Sequence, residues 1–337
     1  MNSKNNVTFS KDVLIIPNIE VEIDSIVNKL RANMQKILKR KGAVVGISGG
    51  IDSAVTLALA VRAFGADKVV GIMLPERDSS RDSKILAIEL ADKFGVQTLE
   101  EDITAALEGF GCYNRRDEAV AVVFPEYNPS EYKMKITLNQ GGSGHNLPPL
   151  FLLTIIDSAG HSQSKIIPMK EFLQIMASTN FKQRCRMSML YYHAERLHYA
   201  VIGTPNKHEV EQGFFVKFGD GGSDIMPIAH LYKTQVYQMA RFLKIPKKII
   251  DRTPTTDTYS AEQTQEEFFY QFPFNQMDLL WYGYENAIDI DAVASVMSMP
   301  PEEIKSIFTN FARKQRTTEY QRANPIFFEE RKIISAI

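Results

Sequence analysis

Between Gly42 and Ile103 short β-branched runs alternate with helical runs, and this alternation restricts the possible folds more than any other feature of the chain. GAVVGIS (42–48) reads as a strand, AVTLALAVRAFG (54–65) as a helix stopped by Gly65, and KVVGIMLP (68–75) as a second strand. SRDSKILAIELADKFG (80–95) then reads as a second helix and VQTLEEDI (96–103) as a third strand. Strand–helix–strand–helix–strand over so short a span requires parallel strands joined by helical crossovers, which are right-handed. Upstream, Ile23, Ile26, Val27, Leu30, Met34, Ile37 and Leu38 form one apolar stripe at helical spacing. The expected fold is α/β, a doubly wound parallel sheet with flanking helices. Ligands bind beyond the carboxyl ends of such strands.

The pattern breaks at about residue 113. From there to 170 the chain reads as strands in series, AVAVVFPEY, YKMKITLN, PPLFLLTIIDSAG and SKIIPMK, separated by NPSE, QGGSGHN and AGHSQ. We expect an antiparallel β-rich insertion of two hairpins, more a wall or lid than a second core. FKQRCRMSMLYYHAERL resumes as a helix, HYAVIGT as a strand and KTQVYQMARFLK as a helix, and residues 256–337 are mostly helical in pattern. The whole, 1–337, is expected to form one domain carrying the insertion 113–170.

The loop after the first strand carries the chemistry. Gly46-Ile47-Ser48-Gly49-Gly50-Ile51-Asp52-Ser53 stands between a strand and a helix. Ser48, Gly49 and Gly50 let the backbone approach an anion, and their N–H groups converge with the positive end of the following helix. The hydroxyls of Ser48 and Ser53 can add donors. A bare glycine pair there would be a simple strand-to-helix turn, with Asp or Ser as cap. Asp52 is out of place in a phosphate cradle unless a divalent cation accompanies the phosphates. The loop is neither a GxxxxGK[ST] phosphate loop nor a GxGxxG dinucleotide fingerprint.

SGGIDSAV resembles the pyrophosphate loop of the N-type ATP pyrophosphatases, a group that includes NAD synthetase, GMP synthetase, asparagine synthetase and argininosuccinate synthetase. Four further segments resemble NAD synthetases in particular: GTPNKHE (203–209), FFVKFGDGGSDIMPIAHLYKTQ (214–235), NFKQRCRM (180–187) and PTTD (254–257). The resemblance implies an adenine nucleotide alpha hydrolase-like fold. It also implies ATP-dependent amidation of a carboxylate by ammonia through an acyl-adenylate, with deamido-NAD as acceptor and AMP and pyrophosphate as products. It places ATP on the loop from Gly46 to Ser53 and on Thr204, Lys233 and Thr255. Mg²⁺ falls between Asp52 and Glu209, where two carboxylates suit a cation holding a polyphosphate. Lys233 would act as a point charge on the phosphates. Asp220 would orient the site, and Arg184, Lys217 and Asp224 would contact the acceptor. Arg184 and Arg186, roughly 200° apart on a helix, cannot share a face.

Three departures mark this chain. The insertion stands where the family usually has a short connection. The family's C-terminal His-Lys pair is replaced by Tyr320 and Gln321, and the segment after PTTD only partly follows the family's acidic pattern. The same adenylation chemistry on a different carboxylate is therefore the alternative reading. A non-catalytic nucleotide-binding module is the third, opposed by the intact Asp52, Glu209 and Lys233.

Bulk properties set further expectations. Lys plus Arg number 39 against 40 for Asp plus Glu, so no nucleic-acid or membrane-surface partner is expected. Cys112 and Cys185 make no zinc or disulfide spacing and the six histidines form no HxxxH or HExxH cluster, which fits a reducing, cytoplasmic setting. No run approaches the ~20 apolar residues of a membrane span. Too few residues precede Gly46 for a glutaminase domain, so the nitrogen source is expected to be free ammonia or a separate glutaminase. The family implies a homodimer.

Overall fold

The structure, a computed structural model, describes residues 9–139, 150–255, 259–261 and 272–328. The QGGSGHN loop, Asp257 of PTTD and most of the segment after it lie outside the described residues. Four parallel strands, β1 (Ala43–Gly46), β2 (Val69–Met73), β3 (Gln97–Glu100) and β7 (Ala200–Ile202), form the central sheet in the order β3-β2-β1-β7. The chain steps outward from β1 to β2 to β3, then returns to lay β7 against the other side of β1. The order therefore reverses at β1, and the crevice at a reversal is where a doubly wound sheet binds ligands.

Both faces of the sheet are covered, which is why β1 and β2 are continuously apolar rather than alternating. On one face Ala43, Val45 and Val69 pack in one apolar cluster with α1 (Ile19–Asn33), α2 (Ile51–Phe64), α3 (Arg81–Phe94) and α8 (Lys233–Phe242). On the other, Val44, Val70 and Ile72 meet Met187, Leu190 and Ala194 of the 29-residue helix α6 (Met169–Leu197). A short helix, α4 (Thr104–Gly109), follows β3.

The insertion is antiparallel as expected, but with three strands instead of four. AVAVVFPEY was expected to be a strand, but its first part lies in a helix, α5 (Cys112–Val123). The buried residues Cys112, Tyr113, Arg116, Ala119 and Val120 follow a helical period that begins in the polar stretch ahead of the apolar run. The remaining strands, β4 (Lys133–Asn139), β5 (Leu150–Ile156) and β6 (Ser162–Ile166), pair antiparallel in the order β4-β5-β6. The resumed helix also starts at Met169, twelve residues before the expected FKQRC. Val120, Phe124, Met134, Ile136, Leu153, Ile155 and Ile175 form an apolar cluster of their own, so the insertion has a small core as well as a wall.

Most of the described C-terminal part lies in three helices. α10 (Phe274–Glu285), α11 (Ile290–Met297) and α12 (Pro301–Arg322) pack around the fully buried Trp281. Short helices α7 (Lys207–Gln212) and α9 (Lys247–Ile250) precede them in the chain. Among the described residues no helix is long and apolar enough to cross a membrane.

Candidate active site

A cleft of about 970 Å³ opens at the carboxyl end of β1 and β7, where the strand order reverses. Gly46 to Ser48 and Gly50 to Ser53 line it. Gly49 has φ of +73°, and a Cβ there would lie 2.6 Å from the carbonyl oxygen of Ser83, so both conformation and space demand glycine. Gly50 caps α2, and the Ser53 hydroxyl donates to its carbonyl at 2.9 Å. The Ser48 and Ser53 hydroxyls stand 3.3 Å apart. The first turn of α2 is thereby aimed into the cleft with its N–H groups toward any anion held there.

Two elements converge on Asp52. Lys233, fully buried at the start of α8, pairs with one carboxylate oxygen. The Asn206 side-chain amide donates to the other at 3.3 Å. Asn206 is also the cap of α7, where its backbone N–H donates to Glu209 Oε2 at 2.9 Å and its own oxygen accepts from the Glu209 N–H. One asparagine therefore fixes both carboxylates. Asp278 locks α7 against α8, meeting His208 Nε2 at 2.5 Å and accepting from the Thr234 N–H at 2.7 Å.

The charges are unbalanced. Burial, then the neighbouring Asp52 carboxylate, push the Glu209 carboxyl up to about 8, with Lys233 only partly opposing. Ionising both carboxyls leaves a net negative charge beside one lysine, which a cation would relieve. Burial likewise raises Asp220 to about 6; its carboxylate accepts from the Val216 N–H at 2.9 Å and holds the GDGG turn at the cleft wall.

The site residues expected from sequence divide into two groups. The loop apart from Gly49, and Thr204, Glu209, Asp220 and Thr255, line the cleft. Lys233 stands behind Asp52 and reaches the cleft through it. Arg184, Lys217 and Asp224 are not in its lining. Arg184 Nε donates to the Lys217 carbonyl at 3.2 Å, and Lys217 Nζ donates to the Tyr320 and Ala323 carbonyls at 3.0 and 2.8 Å, at the end of α12. Asp224 accepts from the Val201 N–H and the Tyr191 hydroxyl. Arg186, on the opposite side of α6 from Arg184, does line the cleft and donates to the Leu74 carbonyl.

Beside the nucleotide loop lies a buried ion-pair network that the sequence did not announce. Lys182 Nζ meets Glu76 at 2.9 Å and Asp78 at 2.8 Å. Arg116 of α5 adds contacts to Asp78 at 2.7 Å and Asp117 at 2.8 Å, while the Tyr113 hydroxyl donates to Glu76 at 2.7 Å. Although burial opposes ionisation, Lys182 and Arg116 hold the Asp78 carboxyl down at about 2. The network fixes the β2–α3 connection, whose Pro75, Ser79 and Ser80 line the cleft, with Ser83 of α3 beside them. Phe151 of the insertion and Phe172 of α6, stacked at 4.1 Å, also line the cleft.

A doubly wound sheet with a glycine-serine loop, a helix start and paired carboxylates at its strand-order reversal defines a nucleotide-binding α/β protein. The family model for NAD synthase matches residues 22–124 and 115–325. An NH(3)-dependent NAD(+) synthetase of Mesorhizobium japonicum is 44% identical over 309 residues, covering 92% of this chain and 96% of that protein. The protein of that name from Thermotoga maritima is 32% identical over 308 residues, covering 91% and 99%. In fold, the chain resembles the NH3-dependent NAD synthetase of Campylobacter jejuni, with a TM-score of 0.61 at 18% identity over 93% of this chain and 100% of that one. The chain belongs to the NAD synthase family.

Proposed function

We propose that this protein joins ammonia to the nicotinate carboxylate of deamido-NAD at the expense of ATP, giving NAD, AMP and pyrophosphate. The carboxylate oxygen attacks the α-phosphorus of ATP and pyrophosphate leaves. Ammonia then attacks the acyl carbon of the adenylate, AMP leaves, and a proton passes to solvent. The observation that carries this reading is the convergence of Asp52, Asn206 and Glu209 beside the loop N–H groups. That arrangement suits a polyphosphate accompanied by a cation.

Asp52 and Glu209 would hold Mg²⁺, with phosphate oxygens completing its coordination, and the ion would neutralise charge building on the departing pyrophosphate. The donor set fits, since both groups are oxygen ligands and the raised Glu209 carboxyl is relieved by a cation. Lys233 neutralises and orients Asp52. Ser48 and Ser53 supply hydroxyls to the phosphates, and Thr204 and Thr255 contact the nucleotide. Asp220 keeps the GDGG turn in place.

Arg184, Lys217 and Asp224 serve the acceptor from the outer surface, and a homodimer, as the resemblance implies, would bring that surface against a second copy. Ammonia is supplied free or by a separate glutaminase, in the cytoplasm. Incubation with Mg·ATP, ammonium and deamido-NAD should release AMP and pyrophosphate in step with NAD. Release of ADP and orthophosphate instead would overturn the reading.

A further inference from the structure

α12 carries a second charged feature into the cleft. Arg313, Lys314, Thr317, Thr318 and Gln321 line it together, and their spacing is that of one helix face. The charged members of that face are Arg313 and Lys314. Tyr320 is 74% exposed, and Gln321, with its amide oriented to satisfy both atoms, donates to Gly213 O at 2.7 Å and Phe215 O at 3.2 Å.

The face is held rigidly beside Glu209. Arg322 donates to the Val210 and Glu211 carbonyls of α7, each at 3.2 Å. Gly213, at the end of α7, has φ of +73°, and a Cβ there would lie 2.3 Å from the Thr318 Cβ, so helix and loop touch backbone to side chain. Burial, then the adjacent Arg313 guanidinium, push the Lys314 ammonium down to about 8. The cleft thus has an acidic pole at Asp52 and Glu209 and a basic pole on α12. A ligand carrying a cation at one end and oxyanions beyond it would satisfy both.

We propose that Arg313 and Lys314 form a binding site for phosphate oxyanions on α12, in the same cleft as the carboxylate pair. The guanidinium offers a planar fork and the ammonium a point charge, the two forms in which proteins grip phosphate. The proposal rests on the nucleotide-dependent reading above. The phosphate belongs either to the pyrophosphate end of ATP or to the pyrophosphate of the acceptor dinucleotide.

Three measurements on the intact protein test it: binding of inorganic pyrophosphate with Mg²⁺ by calorimetry, the KM for ATP, and the KM for deamido-NAD. Arg313→Gln and Lys314→Gln should each shift at least one of these by about tenfold, as expected for losing a charge-assisted contact. Lys314→Arg should stay near wild type, as should Lys305→Gln, an exposed lysine on the same helix. Weaker pyrophosphate binding together with a higher ATP KM identifies the ATP phosphates. A raised deamido-NAD KM alone identifies the acceptor. Both Gln variants folded and unchanged in all three measurements would overturn the proposal. The calorimetric arm does not depend on turnover, so an inactive wild type that still binds pyrophosphate through Arg313 and Lys314 would sink the amidation reading and leave this one standing.

Discussion

Asp52 accepts contacts from residues 154 and 181 positions away, so its partners are set by the fold and not by its neighbours in sequence. Asp52→Asn keeps the shape and the Asn206 contact but removes the charge that complements Lys233 and a cation. Turnover should fall by about 10² or more with ATP binding weakened. Lys233→Met should lower kcat and kcat/KM together and also lower the melting temperature, because it strands a largely buried carboxylate.

Glu209 gives a pH signature. Its folded value of about 8 lies above the ordinary 4.5, so the fold holds more protons than the unfolded chain between those limits, and stability falls as pH rises across that window. Without nucleotide the melting temperature should drop from pH 5 to pH 8, and Glu209→Gln should flatten the slope. Asp220 acts with the same sign up to about 6, and Lys314 with the opposite sign above about 8. An unchanged slope in Glu209→Gln would locate the titration elsewhere. Of these residues, Asp52, Glu209 and Thr204 were legible because they sit in contiguous motifs. Asn206 carried a readable cap pattern, N-x-x-E, yet its contact with Asp52 depends on tertiary placement. Arg313 and Lys314 had no signal beyond being two basic residues in a helix.

At the scale of elements, the parallel strands and their crossovers were readable because strand and helix periods alternate cleanly. The helix α5 was not, because its apolar residues crowd its second half and resemble a strand when that half is read alone. The misreading matters, since α5 brings Arg116 and Tyr113 to the β2–α3 connection. Excising residues 113–170 would therefore disturb the nucleotide side of the cleft as well as any effect on the acceptor. Arg116→Met should destabilise the fold by about 3 kcal/mol or more, since it leaves Asp78 short of a partner in a buried network. It should also raise the ATP KM while leaving the acceptor KM nearer to normal. A variant of wild-type stability would show the network to be dispensable.

For the whole molecule, the cleft is built from the central sheet, the insertion and the C-terminal helices, so a ligand spanning it ties the three together. Mg·ATP at about one hundred times its Kd should stabilise the fold by ~2.7 kcal/mol. The gain should shrink as pH falls below about 8, where protonated Glu209 competes with a cation. Thermal shifts measured across pH with and without nucleotide would show this, and a shift of constant size would argue against cation binding at Glu209.

The span of the Asp52–Lys233 pair bears on how the protein is made. The lysine follows its carboxylate by 181 residues. At roughly 5–20 residues per second, a ribosome needs on the order of ten to forty seconds to supply it. Through that interval the nascent chain carries its nucleotide loop half assembled, and the Glu76–Lys182 contact, 106 residues long, closes earlier. Translation products that end before α8 therefore inherit the recognisable motif without the charge balance that would make it work.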